Sequence, residues 1–155
     1  MNVFNEVFPS DPDQLKGLME KGPDGPIFMV NLLKFKERAE YDDGRETSLT
    51  GREAYMIYGR AVSELLVKFG GRAVFVGDVT YLSLGRVEEV WDEIAIAMYP
   101  DRAAMVRMSM SEDWRAIAVH RSAGLKGQLN IETVAPPAAA GSAWLAALTG
   151  ANTTP

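Results

Sequence analysis

Few side chains in this sequence can do chemistry. There is one histidine, His120, and no cysteine. Without thiols there are no disulfides, no thiolate metal sites and no Cys nucleophile. One imidazole cannot make a His-rich metal site, although it can act as a general base near neutral pH or as a single haem ligand. Arg121 follows it and can hold negative charge on a substrate, or pair with Asp92 or Glu93 as a structural salt bridge. Tyr55 and Tyr58 are three apart and share a flank of a predicted helix. Phenols in that position stabilise a developing oxyanion, or serve as core residues with the hydroxyl at the rim. Arg52 and Arg60 lie near the same flank and can hold a carboxylate, although Arg52, in the first turn, is expected to be solvated.

Three further positions stand out because they are polar in apolar surroundings. Asn31 interrupts an otherwise apolar run, so its amide must find partners or orient a ligand. Glu93 and Tyr99 alternate with Ala95 and Ala97, and two small residues between larger polar ones either floor a pocket or admit a closely packed helix. Asp78 would form an acid/base pair with Asp92 or Glu93 if the strand register brings them together. The candidate catalytic residues are therefore His120, Tyr58 and Glu93, and the candidate substrate-binding residues are Asn31, Tyr55, Tyr99 and Arg121. No metal ligand set, phosphate loop, dinucleotide fingerprint or serine elbow occurs, and no cofactor is implied.

Composition narrows the class. The 155 residues are 47% hydrophobic and 24% charged, with a formal net charge of −5. That length suits one domain. Scattered basic residues on an acidic chain argue against a nucleic-acid partner. No apolar run approaches the roughly 18 residues of a membrane span, and Met1–Glu6 lacks signal-peptide character. A cytoplasmic protein is expected.

The elements that must position these side chains can be read in order. Ser10, Pro12 and Asp13 open a helix over 10–21, with Ser10 as cap. Residues 27–35 are apolar on both faces, as in a central strand. Residues 37–48 are charged and predict a mobile loop. Thr50-Gly51-Arg52-Glu53 is a capping box, and the helix it starts turns Ala54, Tyr58, Ala61, Leu65 and Phe69 to one face until Gly70-Gly71. A second strand is predicted over 72–84 with a bulge or a close backbone approach at Gly77-Asp78, and a third over 91–99. Asp101 caps a short helix, Ser111 starts another to about Ser122, and a fourth, edge-like strand spans 128–134. An Ala/Pro-rich tail over 136–155 follows, with Trp144, Leu145 and Leu148 as a small apolar cluster expected to pack on the body or on a partner subunit.

Strand, helix, strand, strand, helix, strand is the split βαβ order of the ferredoxin-like α+β fold, with the first and third strands central. Its two helices cover one sheet face only. Phe28, Val30 and Leu32 alternate with Met29 and Leu33, and Ile94, Ile96 and Met98 with Ala95, Ala97 and Tyr99, so the face left uncovered is apolar as well. That surface calls for a partner, and face-to-face pairing of two sheets in a homodimer satisfies it.

The stretch Pro26–Phe35 resembles the first strand of the bacterial family known as domain of unknown function 1330. So do Tyr55-x-x-Tyr58, Gly70-Gly71-Arg72, Trp91-Asp92, Tyr99-Pro100 and Arg121-x-x-Gly124-Leu125, and the similarity runs over roughly residues 26 to 134. The resemblance implies a dimeric α/β barrel and supplies no established activity. The wider superfamily holds cofactor-free monooxygenases, muconolactone-type isomerases, haem-dependent enzymes and stress-response proteins. The expected function is binding of a small, partly apolar molecule, with cofactor-independent oxygenation or isomerisation of a carbonyl or phenolic compound. The competing expectation is a non-enzymatic binding or assembly protein whose apolar sheet face serves dimerisation only; a haem enzyme is a third.

Overall fold

The computed structural model describes residues 5–136. The tail over 137–155, with its expected cluster at Trp144, Leu145 and Leu148, lies outside the described residues. The elements run α1 (Pro12–Met19), β1 (Ile27–Phe35), α2 (Gly51–Lys68), β2 (Arg72–Asp78), β3 (Glu93–Tyr99), α3 (Arg102–Ser109), α4 (Glu112–Gly124) and β4 (Leu125–Thr133). The sheet is antiparallel in the order β2-β3-β1-β4. This is the ferredoxin-like α+β topology, with β1 and β3 central. Among the described residues no helix is long and apolar enough to cross a membrane.

Local chemistry explains most boundaries. β1 begins after Gly25-Pro26, and its Ile27, Met29 and Leu33 are buried under the helices. Thr50 caps α2 through the complete capping box with Glu53. Gly70 ends α2 at φ +79°, a left-handed conformation that glycine adopts without strain. Asp101 and Ser111 cap α3 and α4.

Four expectations need correction. The cap of α1 is Asp11, which accepts the N–H groups of Asp13 and Gln14, while Ser10 donates instead to Glu6. β2 stops at Asp78 rather than 84, and its register shift lies between Ala73 and Phe75 rather than at Gly77. Beyond the Asp78–Glu93 pair one further backbone bond forms, from Val79 N–H to Asp92 O at 2.9 Å, while Asp92 N–H donates to Leu33 O at 2.9 Å and the Asp92 side chain accepts the Phe35 N–H at 2.8 Å. β4 starts at Leu125, directly after α4. The charged segment over 37–48 is anchored: Ala39 N–H donates to Leu49 and Glu40 N–H to Ala123, both at 3.0 Å, and Ala39 is buried.

One close approach organises the helix layer. Gly51, the first residue of α2, crosses Gly124, the last of α4. A Cβ on Gly51 would strike the carbonyl oxygens of Lys36 and Gly124; one on Gly124 would strike the Gly51 carbonyl and lie 2.9 Å from the Tyr55 nitrogen. Gly51 N–H donates to Lys36 O at 3.2 Å, and Lys36 N–H to Gly124 O at 2.9 Å, so the end of β1 is tied to both helices. The main core then fills with Ile27, Met29, Leu65, Leu66, Met108 and Trp114 around Tyr58 and Tyr99.

The opposite sheet face carries Phe28, Val30, Leu32, Ile94, Ile96 and Met98, all half-buried, flanked by Phe75 and Ile131, which are 54% and 46% exposed. No described helix packs on it.

Gly124→Ala is expected to lower stability by about 1–3 kcal/mol, the usual cost of forcing atoms into a packed region. Gly59→Ala, where a Cβ meets nothing within 4 Å, should raise it by up to about 1 kcal/mol through helix propensity. Urea midpoints moving in the same direction for both variants would contradict this account of the crossing.

Candidate functional site

A cavity of about 520 Å³ lies between α2 and the β2–β3 half of the sheet. That volume is within the range of small-molecule sites. Its floor is Ala95 and Ala97, with Asn31 behind and Val76 and Asp78 at the side; its roof is Tyr55, Tyr58, Val62 and Leu66 of α2, with Arg60 on the rim. Ala95 and Ala97 thus sit beneath open space rather than beneath a tightly packed helix.

Strand register assembles the charged end. Asp78 of β2 pairs directly with Glu93 of β3, so both point to the helix side. Arg52, in the first turn of α2, reaches down to both, with Nη1 at 2.6 Å from Asp78 Oδ1 and 3.1 Å from Glu93 Oε2. Its guanidinium also lies 4.8 Å above the Phe35 ring. The expected solvated Arg52 is therefore the clamp between two carboxylates. Asp92, the other candidate partner, pairs with Lys34 at 2.9 Å.

Glu93 is the least exposed member, its side chain 12% accessible. Burial holds its carboxyl above the ordinary value; Arg52 opposes this and the Asp78 charge adds to it. A carboxylate in such a setting is suited to taking and returning a proton.

The phenols form a ladder. Phe35 stacks at 5.4 Å on Tyr55, which stacks at 5.4 Å on Tyr58, each pair inclined by 54°. Trp114 Nε1–H donates to the Tyr58 oxygen at 3.2 Å. That leaves the Tyr58 proton free to be donated elsewhere. Burial pushes the Tyr55, Tyr58 and Tyr99 phenols up, so they remain neutral donors. Asn31 donates from Nδ2 to the carbonyls of Met29 (3.1 Å) and Ala95 (3.0 Å), which leaves its side-chain oxygen as the group it can offer a ligand.

The structure thus brings Asn31, Tyr55, Tyr58, Glu93 and Tyr99 to one cavity. Arg121 lies behind the two tyrosines, buried, and makes no salt bridge to Asp92 or Glu93 among the described residues. His120 does not join them. Trp114, Ala118 and Arg121 form the inward stripe of α4, which turns His120 toward the 37–48 segment, where its Nδ1 lies 2.7 Å from the Tyr41 hydroxyl. Among the described residues no group of three or more His, Asp or Glu could hold a metal ion. Two contacts go beyond the sequence expectations: the Arg52 clamp, since Arg52 is able to hold a carboxylate but expected to be solvated, and the Trp114 N–H. The signal for the first was the spacing of Arg52 and Tyr55, three apart on one helical flank.

Topology and site together define a ferredoxin-like α+β protein with a ligand-sized cavity under its longest helix. The sequence is 30% identical to the RPA0582 protein of Rhodopseudomonas palustris, a protein of unknown function, over 84% of this chain and 98% of that one, with a TM-score of 0.72. The methylated form of RPA0582 gives 34% identity over 85% and 98%, with a TM-score of 0.73. The chain belongs to the family of that protein. A dabb family protein with a ferredoxin-like fold from Mesorhizobium loti matches at 14% identity over 74% of this chain and 100% of its own, with a TM-score of 0.46. No protein-family model and no curated protein matches the sequence.

Arg52→Ala should raise the Glu93 pKa further, since it removes the opposing charge. Asp78→Asn should lower it, since it removes the like charge. Carbon-13 NMR titration of the Glu93 carboxyl reads both; shifts of the same sign in the two variants would refute the triad as drawn.

Proposed function

We propose that the cavity binds a small, partly apolar carbonyl or phenolic compound and that Glu93 moves a proton on it, without a cofactor. The observation that carries this reading is a half-buried carboxylate, held above its ordinary pKa, at one end of an apolar cavity whose roof is two neutral phenols. Tyr55 and Tyr58 polarise the ligand oxygen, Asn31 accepts a hydrogen bond, Tyr99 closes the far end, and Arg52 keeps Glu93 in place. Proton relocation of this kind is isomerisation chemistry, and the same constellation deprotonates a phenol ahead of oxygenation.

A second copy of the chain is proposed to cover the open sheet face. Monomers seldom expose so continuous an apolar surface, and a twofold pairing lets one face bury itself against its identical counterpart. The β2–β3 connection carries Tyr81 and Leu84, exposed by 81% and 89%, and the same contact would cover them. If dimerisation were the only role of the protein, the cavity would have no use for a clamped carboxylate.

Ligand-observed NMR with a panel of small phenols and cyclic ketones should find binders to the wild type that are lost in Ala95→Phe, which fills the floor. Glu93→Gln should leave binding intact and slow proton transfer on the bound compound by about 10²–10⁴-fold. Binders that survive Ala95→Phe, or proton transfer at the wild-type rate in Glu93→Gln, would overturn the reading. Sedimentation at micromolar concentration should give twice the chain mass, and Val30→Asp should halve it; a wild-type monomer contradicts the pairing.

A further inference from the structure

Arg45, Arg52 and Arg102 each sit against a carboxylate: Asp43, the Asp78–Glu93 pair, and Glu132. Arg121 is buried more deeply, at 5% exposure, and among the described residues no carboxylate lies within ion-pair distance of it. Its Nη2 donates to the Glu6 carbonyl at 2.6 Å, and its Nη1 is buried with no acceptor. An unpaired cation in the interior costs several kcal/mol, so its retention points to use.

Its neighbours say what the use is. Trp114 and Arg121 lie two turns apart on the inward stripe of α4, and both face α2. Trp114 holds the Tyr58 oxygen, and the Gly51–Gly124 crossing presses the end of α4 onto the Tyr55 backbone. The groups that face Arg121 are thus Tyr55 and Tyr58 from α2 and the Glu6 carbonyl from the N-terminal segment. Its charge works against burial on both phenols, favouring negative charge there. Across the cavity, Glu93 and Asp78 share Arg52, and Tyr99 stands at the other end of β3, past Ala95 and Ala97. The cavity therefore has a cationic end behind the tyrosines and a carboxylate end at the strand pair.

We propose that Arg121 is a positioning residue which, through Tyr55 and Tyr58, stabilises negative charge on the ligand oxygen, and that the substrate class is an enolisable carbonyl compound. This rests on the cavity reading above and narrows it. The Glu93 carboxylate takes a proton from the carbon next to the carbonyl. The C–H electron pair becomes a C=C bond, the carbonyl π pair moves onto oxygen, and the enolate forms against the phenol protons. Where the carbonyl compound is β,γ-unsaturated the enolate is a dienolate, and return of the proton from Glu93 to its γ carbon restores the carbonyl, shifts the C=C bond into conjugation and completes an isomerisation, with no net gain or loss of electrons. A field that is already in place when charge develops is the most effective form of such stabilisation.

The test uses para-nitrophenol, whose anion mimics an enolate and absorbs in the visible. Titrated with the full chain, the bound probe should ionise at least about one pH unit lower than free probe, a tenfold preference for the anion. Arg121→Met should abolish that preference while neutral-probe affinity and circular dichroism stay unchanged. Should Arg121→Met fail to fold, Arg121→Lys, which keeps the charge, should retain the preference and Tyr58→Phe should reduce it several-fold. A preference that survives in both Arg121→Met and Tyr58→Phe overturns the proposal. Wild-type binding of both forms alike overturns it and leaves the cavity reading standing; wild-type binding of neither form overturns both.

Discussion

The contact on which the rest depends is between two glycines. Gly51 and Gly124 bring the start of α2 and the end of α4 to a separation that no Cβ would permit, and Lys36 ties both to the end of β1. From that fixed point α2 runs over the sheet at a set height. Its first turn places Arg52 above the β2–β3 pair, its second places Tyr55 and Tyr58 above β3, and the space left over Ala95 and Ala97 is the cavity. Packing accuracy at one crossing therefore becomes chemical accuracy several residues away.

The electrostatics follow from this placement. A carboxylate pair on adjacent strands would repel if left alone, and the Arg52 guanidinium relieves that while leaving Glu93 above its ordinary pKa. Arg121 has no such partner, and the phenols stand between it and the cavity. One cation is neutralised and the other is not, which gives the cavity its direction. An apolar floor makes both effects stronger than they would be in water.

Much of this architecture is legible in the sequence. β1 is announced by a doubly apolar run bracketed by Gly25-Pro26, α2 by a capping box, and the one-sided helix layer by an excess of apolar residues in β1 and β3. Other features are not. Val79–Leu84 alternates like a strand, but pairing needs a partner, and backbone bonding to the β3 side ends with Val79 N–H on Asp92 O. His120 and Arg121 sit about 100° apart on the helix; which one turns inward is settled by the packing of Trp114 and Ala118, not by their own character. Arg52 looks like a first-turn surface residue because local pattern cannot say which strand lies beneath it. Asp78 and Glu93 were candidates only on condition of register, and register is a property of the whole sheet.

The central claim is that a small carbonyl or phenolic molecule lies between α2 and Ala95–Ala97 with its oxygen toward the tyrosines. A crystal structure of the protein with a bound cyclic ketone tests it most directly. The account predicts the ring over Ala95 and Ala97, the oxygen within hydrogen-bond distance of the Tyr58 hydroxyl, and a Glu93 oxygen next to the neighbouring carbon. A ligand seated on the open sheet face, or one with its oxygen turned toward Arg52, would contradict it.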